Sequence, residues 1–181
     1  MSVQPAPTRG ARRAVRAATV LSILSLLGAC VSEGPPPRRS PREVREQPAG
    51  LVVDRVVPAI DKLADDTDRN GYYDTFRVAV FLFASGYAQS IQGDGTLECR
   101  LTDPESGKEM AKWTFSREAM QGAWGLSGVM PGYNLLLNMN QVGSDKVGVS
   151  EALFSCQFRP TGGGAPVTSL SRLVVMVGPL R

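Results

Sequence analysis

From Leu51 onward the chain is written in short apolar stretches of period two, separated by clusters of Gly, Pro, Asp and Asn. Successive side chains of a strand point to opposite faces, so this alternation predicts half-buried β-strands and the clusters predict turns. Residues 51–57 read as a first strand, stopped by Pro58, which donates nothing to a ladder. Residues 75–83 read as a second, with Phe76, Val78, Val80 and Leu82 on one face and Arg77, Ala79, Phe81 and Phe83 on the other. Apolar residues on both faces predict a central strand covered on both sides. Residues 95–101 place Leu97, Cys99 and Leu101 inward and Thr96, Glu98 and Arg100 outward. The turn Asp103-Pro104-Glu105-Ser106-Gly107 then returns the chain through residues 109–115, where Ala111, Trp113 and Phe115 align as the second arm of a hairpin. Residues 116–124 fit either a helical turn or a loop. Residues 126–130, 133–140, 147–159 and 169–177 complete the set, broken at Pro131-Gly132, Gly143-Ser144-Asp145 and Thr161-Gly162-Gly163-Gly164. About eight strands at this spacing predict an all-β domain over residues 51–181, a two-sheet antiparallel β-sandwich.

Residues 1–50 are patterned differently. Residues 1–16 carry Arg9, Arg12, Arg13 and Arg16 and no acid, and residues 17–29 (AATVLSILSLLGA) run uncharged. That apolar run is too short for a spanning helix, which needs about 20 residues, and fits the core of an export signal. It ends in Leu27-Gly28-Ala29-Cys30, an apolar residue, two small ones and a Cys, which resembles the lipobox of bacterial lipoproteins. Small residues let an extended backbone enter a protease, and a thiolate is the soft nucleophile that accepts diacylglycerol. The resemblance implies cleavage after Ala29, fatty acylation of Cys30 with palmitate-type chains, and attachment of the protein to a membrane. In an ordinary secretory signal, the alternative, Cys30 would merely follow the cut. Arg12-Arg13 fits a twin-arginine signal, but Arg16 stands where that signal takes an apolar residue. Val31 rather than Asp follows Cys30, which by the same resemblance implies sorting to the outer membrane. Two or three acyl chains anchor stably where one does not, each buried CH₂ adding about 0.8 kcal/mol. Residues 31–50 hold five Pro and seven charges and almost nothing to bury. They read as a disordered or polyproline-like tether reaching at most about 60 Å, at about 3.1 Å per residue. Its arginines (Arg38, Arg39, Arg42, Arg45) alternate with Glu33, Glu43 and Glu46, so a solvated spacer is favoured over contact with lipid or wall polymer.

The formal charge of +3 belongs to the signal: without its four arginines, 16 basic residues face 17 acidic ones. No run of Lys or Arg marks a nucleic-acid-binding face in the remaining domain. The chain has no His, and so lacks the commonest general base near neutral pH and the commonest imidazole ligand. With Cys30 acylated, Cys99 and Cys156 remain as an even pair in a compartment where disulfides persist. They are a disulfide candidate, the alternative being two buried thiols packed as small apolar groups. Cys99, Trp113 and Cys156 resemble in order and rough spacing the Cys, Trp, Cys set of immunoglobulin domains, while Phe154 stands where those domains usually show a corner Tyr. Three residues support an immunoglobulin-like or similar sandwich, not membership of that family.

The one motif with chemistry is Asp66-Thr67-Asp68-Arg69-Asn70-Gly71-Tyr72-Tyr73-Asp74. It resembles the calcium loops of FG-GAP repeats, and its first half resembles EF-hand and dockerin loops. Alternate acidic or amide oxygens wrap one side of a hard cation, Gly permits the sharp turn, and the next residue offers a carbonyl. The resemblance implies calcium held by Asp66, Asp68, Asn70, the Tyr72 carbonyl and Asp74, in a structural role. Arg77 stands where an EF-hand has its bidentate Glu, which disfavours that form. The competing reading is an acidic turn built on Asn70-Gly71. Asp61, Asp65, Asp66, Asp68 and Asp74 repel one another unless something neutralises them, and Arg69 alone is inadequate.

Other features carry less. Gly125-Leu126-Ser127-Gly128 is not the nucleophile elbow, and without His its Ser has no obvious base. Trp124, Tyr72, Tyr73, Tyr87 and Tyr133 offer material for a sugar-stacking platform, whereas Trp113 belongs in the core. Glu105 and Glu109 beside a hairpin turn read as solvated. The order of lipobox, Pro-rich tether, acidic loop and sandwich resembles uncharacterised exported lipoproteins and carries over no catalytic residue. The expectation is a non-enzymatic envelope module that binds another envelope protein or a surface polymer. A carbohydrate-binding module is the first alternative, favoured by coplanar, exposed Trp124 and Tyr rings. A carboxylate-based hydrolase is the second, needing two acids about 5–9.5 Å apart in a cleft.

Overall fold

Alternation becomes strand in eleven places: β1 (Arg55–Ile60), β2 (Tyr72–Tyr73), β3 (Thr75–Phe83), β4 (Gly95–Thr102), β5 (Glu109–Phe115), β6 (Trp124–Ser127), β7 (Met130–Asn138), β8 (Glu151–Pro160), β9 (Val167–Thr168), β10 (Leu173–Met176) and β11 (Gly178–Pro179). One helix, α1 (Arg117–Ala123), separates β5 from β6. The computed structural model describes residues 47–61 and 64–180, all within the unit Val44–Arg181. The export signal over residues 1–29, Cys30 and the tether up to residue 46 lie outside the described residues. Among the described residues no helix is long and apolar enough to cross a membrane. The strands form an antiparallel sheet of order β1-β3-β7-β6 and another of order β10-β8-β4-β5, with β9 also on β8; β11 pairs with β2 apart from both. The all-β, sandwich-like expectation therefore stands.

Both sheets turn their apolar faces to one core. Phe76, Val78, Val80 and Leu82 of β3 and Tyr133, Leu135 and Leu137 of β7 belong to the same buried cluster as Leu97, Cys99 and Leu101 of β4 and Phe154, Cys156 and Phe158 of β8. Trp113 of β5 reaches across, its indole N–H donating to the Asn138 carbonyl at 3.0 Å. A buried indole with its polar edge satisfied adds specificity without the cost of a lost hydrogen bond.

Several sequence expectations are corrected. Pro58 does not stop β1 but lies inside it. β1 is a sheet edge, and Asp61 N donates to Arg77 O at 3.1 Å. Ladder donors alternate along a strand, so the nitrogen of Pro58 points away from β3, where no donor is needed. β3 is central, yet its outer face is not covered: Arg77 is exposed and Ala79, Phe81 and Phe83 are half-buried. Pro131-Gly132 lies within β7, and the break is the two-residue link between Ser127 and Met130, where Gly128 takes φ 61°. The ambiguous stretch is α1, capped by Ser116, whose hydroxyl accepts from Ala119 N at 3.3 Å. Of residues 169–177 only Leu173–Met176 is strand, β10; residues 169–172 form an arch that joins it to β9.

Cys99 and Cys156 are register partners on neighbouring strands of one sheet, as are Cys99 and Trp113. The three residues thus lie side by side, which differs from the immunoglobulin arrangement, where the disulfide joins two sheets. Both groups are thiols here, buried, with sulfurs 3.4 Å apart. Cys156 exchanges its backbone bonds with Ser169 rather than with β4, so Cys99 and Cys156 face each other as a non-hydrogen-bonded pair, in which side chains come closest.

The outer face of the second sheet buries one charge. Glu98 is 8% exposed and meets Arg100 at 2.6 Å, Arg159 at 3.0 Å and Lys112 at 3.3 Å. The Arg100 bond, followed by Lys112 and Arg159, overcomes burial and lowers its pKa from 4.5 to about 2. A depressed carboxylate pKa stabilises the fold above about pH 4.5, and that contribution is lost as pH falls toward 2. Glu98→Gln is expected to cost about 2 kcal/mol at pH 7, with the partly exposed cations discounted for screening. It should cost little at pH 2. Urea denaturation at the two pH values checks this, and an equal cost at both would refute the ion-pair origin.

Candidate metal centre

The acidic loop is closed at its base before any side chain acts. Asp65 N donates to Thr75 O at 2.8 Å, and Asp65 O accepts from Asp74 N at 2.9 Å and Thr75 N at 3.1 Å. Between these residues the chain must turn within a few positions, which places Arg69 at φ 60° and Gly71 at φ 87°. The left-handed conformation is natural for Gly and strained for Arg. The carboxylates hold that turn from inside. Asp66 accepts from Asn70 N at 3.1 Å and Gly71 N at 2.9 Å, and Asp68 accepts from Asn70 N at 3.2 Å and Asn70 Nδ2 at 3.0 Å.

Asp74 is the fixed point. Its side chain has no exposed surface and accepts from Thr67 N at 3.1 Å, Thr67 Oγ1 at 2.8 Å and Asp68 N at 3.3 Å. Burial acts to raise its pKa, but hydrogen bonds from Thr75, Thr67 and Asp68 together outweigh it and keep the carboxyl below its ordinary value.

Of the five expected ligands, Asp66, Asp68 and Asp74 converge, with one carboxylate oxygen of each within 4.8 Å of the others. Asn70 adjoins them, but its Oδ1 accepts from Tyr72 N at 2.9 Å and its amide nitrogen faces the acids. Tyr72 enters the short ribbon with β11, opposite Pro179. The structure adds two residues that local sequence did not mark. Asp145, 2% exposed, accepts from Asn70 Nδ2 at 2.6 Å, and Asn140 Nδ2 donates to Asp68 at 3.3 Å. Both come from the connection between β7 and β8, more than 70 residues downstream of Asp68 and Asn70. Asp145 sits in a Gly-Ser-Asp cluster that reads as an ordinary turn; only its burial distinguishes it. The C-terminal segment closes the other side, with Leu180 N donating to Gly71 O at 2.8 Å.

Among the described residues, none of Asp66, Asp68, Asp74 and Asp145 forms an ion pair with Lys or Arg. Each carboxylate oxygen has two lone pairs, and Asp66 Oδ1, Asp66 Oδ2 and Asp68 Oδ1 each accept one loop amide, so these oxygens keep hard-donor capacity for a cation, whereas the Asp74 oxygens are engaged by Thr67 and Asp68. The donor set is all oxygen, partly buried, and suits a divalent ion of the calcium or magnesium class rather than a thiolate- or imidazole-seeking metal.

The aromatic expectations separate. Trp113 is in the core as expected. Trp124 is half-buried and packs edge-on against Tyr133, with rings at 63° and centroids 4.9 Å apart, so these two do not make a coplanar platform. Tyr133 is itself buried and its hydroxyl accepts from Gly93 N at 2.8 Å. Comparisons with protein-family models, curated proteins and solved structures find no match to this chain.

Proposed function

We propose that the chain is a lipoprotein of the bacterial cell envelope, held in the outer membrane through Cys30, whose β-sandwich is a non-enzymatic binding module stabilised by calcium. The observation that carries the calcium part is the convergence of three carboxylates, Asp66, Asp68 and Asp74, with no ion pair to Lys or Arg among the described residues. Calcium there would stiffen the acidic loop, which Asn70 and Asp68 already tie to Asp145 and Asn140 of the β7–β8 connection. The lipobox supports the anchor, and a free sandwich on a long tether suits capture of an envelope protein or surface polymer. The same oxidising location would join Cys99 to Cys156, whose thiols already face each other.

The test uses the protein extracted from its own membrane in detergent. Its intact mass should begin at Cys30 and include acyl chains; a species starting upstream, or without acyl mass, refutes the anchor. Calcium added after chelation should raise Tm by about 8–10 °C at a hundredfold excess over Kd, corresponding to about 2.7 kcal/mol. No shift with calcium, together with no binding heat, refutes the metal assignment.

A further inference from the structure

On the outer face of the second sheet lies a trough of about 450 Å³, within the range of about 300–1,000 Å³ common for small-ligand sites. Its floor is a cross-strand row: Arg100 of β4 stands opposite Ser155 of β8, and Gln157 lies next along β8 on the same face. One wall is the β4–β5 turn at Asp103 and Pro104. The other is the arch between β9 and β10. Thr168 pairs with Gln157 and Leu173 with Phe154, so four arch residues stand against only Ser155 and Cys156. Ser169 pins the base of the arch, donating to Cys156 O at 2.8 Å and accepting from Cys156 N at 3.2 Å. Leu170 and Arg172 project from it, Leu170 at 91% exposure.

The chemistry of the lining is cationic and hydroxylic. Arg100 is oriented by Glu98 at 2.6 Å and Glu109 at 3.7 Å. Arg172 is exposed and has no ion pair among the described residues. Asp103, the only acid in the lining, is engaged by its own turn, accepting from Glu105 N at 2.9 Å and Ser106 Oγ at 2.7 Å. Glu98, next to Arg100 on the same face of β4, is shared by Arg100, Lys112 and Arg159. Thr102, Ser155 and Thr168 supply hydroxyls. Two buried atoms of the floor, Arg100 Nε and Gln157 Oε1, have no hydrogen-bond partner among the described residues, although Arg100 Nε lies 3.7 Å from Glu109. The acceptor left unmatched under the trough is what a hydroxylated ligand satisfies, directly or through water.

We propose that this trough binds a carboxylated saccharide, with the acid between Arg100 and Arg172 and the hydroxyls along Ser155, Gln157 and Thr168. Arg172 offers paired N–H donors to a planar oxyanion, and Arg100, whose Nε and Nη2 turn to Glu109 and Glu98, adds its Nη1. The proposal rests on the reading of the sandwich as a binding module, and it names the ligand class and the face. It requires neither the calcium site nor the anchor.

Calorimetry on the detergent-purified chain in EDTA, with hyaluronan tetrasaccharide as probe and neutral chitotetraose as control, tests it. The expected result is saturable binding of the acidic sugar, at least tenfold weaker binding of the neutral one, and at least a tenfold loss in Arg172→Ala. Arg172 has no ion-pair partner to lose among the described residues, so the variant should keep its Tm; Arg117→Ala, on α1, should keep its affinity. Equal binding of chitotetraose, an unchanged Arg172→Ala, or no binding at 10 mM would overturn the proposal. Displacement of the sugar by equimolar inorganic phosphate would also overturn it, showing a bare anion site. If the sugar fails while calcium stabilises and the acyl mass is found, this proposal alone falls.

Discussion

Asp74→Ala is expected to destabilise the domain by about 3 kcal/mol, a fall in Tm of about 10 °C. The magnitude follows from what the carboxylate does without any cation. Being fully buried, it receives two backbone amides and one hydroxyl across the base of the loop. Hydrogen bonds to a charged acceptor contribute about 1.5–3 kcal/mol each, less what water regains in the mutant. Its backbone is also a junction, since Asp74 O accepts from Met139 N at 2.8 Å at the end of β7. Asp68→Asn is the contrasting variant. Asp68 is exposed, and removing one of several repelling charges should leave Tm in EDTA within about 1 °C. It should nevertheless abolish the calcium-induced rise. Thermal melts of both variants with EDTA and with calcium separate the roles: Asp74 builds the loop, and Asp68 serves the ion. If Asp74→Ala melts like the parent in EDTA, the loop does not depend on its internal anchor.

Most strands were legible because their side chains obey one constraint at a time. β5 begins and ends where alternation does, since Ala111 and Trp113 meet the core and Lys112 and Thr114 meet water. Elements were misread where a second constraint intervened. Pro58 is permitted because its strand is an edge, and edge position is a property of the whole sheet. Residues 169–172 look like strand by composition but have only two opposing residues on β8, so the chain arches outward. Glu98 was correctly assigned to the outer face, yet it is buried there by three cationic side chains from β4, β5 and β8. Its neighbours across the sheet cannot be read from its own strand.

The candidate centre divides in the same way. Asp66, Asp68 and Asp74 are set by local spacing, because a tight loop brings alternate residues to its inside. Asn70 carries its expected contact only in part, since its oxygen is drawn to the Tyr72 amide. Asp145 and Asn140 arrive through the register of β3 on β7, which delivers the β7–β8 connection to the loop. No local motif announces them. The immunoglobulin-like order of Cys99, Trp113 and Cys156 agrees with the sandwich but not with an inter-sheet pair, because spacing along the chain cannot tell whether two cysteines lie on opposing sheets or on adjacent strands.

Gly178→Ala is expected to cost about 2–3 kcal/mol and to weaken calcium binding severalfold, although Gly178 is not a ligand. Two independent obstacles coincide at this position. Its φ is 75°, a region that L residues enter with strain, and a methyl group would collide with the Val149 carbonyl oxygen. Gly163, at φ 78° with nothing near its missing side chain, isolates the first obstacle, so Gly163→Ala should cost only about 1 kcal/mol and leave calcium affinity unchanged. The difference measures the collision. Relief requires β11 to move away from the loop before β8, and β11 carries the pairing of Gly178 with Tyr73 and the bond from Leu180 N to Gly71 O. Without that brace the turn at Gly71 gains freedom, and cation binding must then supply the ordering that the C-terminal segment now provides. Calcium titrations of the two alanine variants decide the point: equal affinities would show that β11 closes the sandwich without bracing the acidic loop.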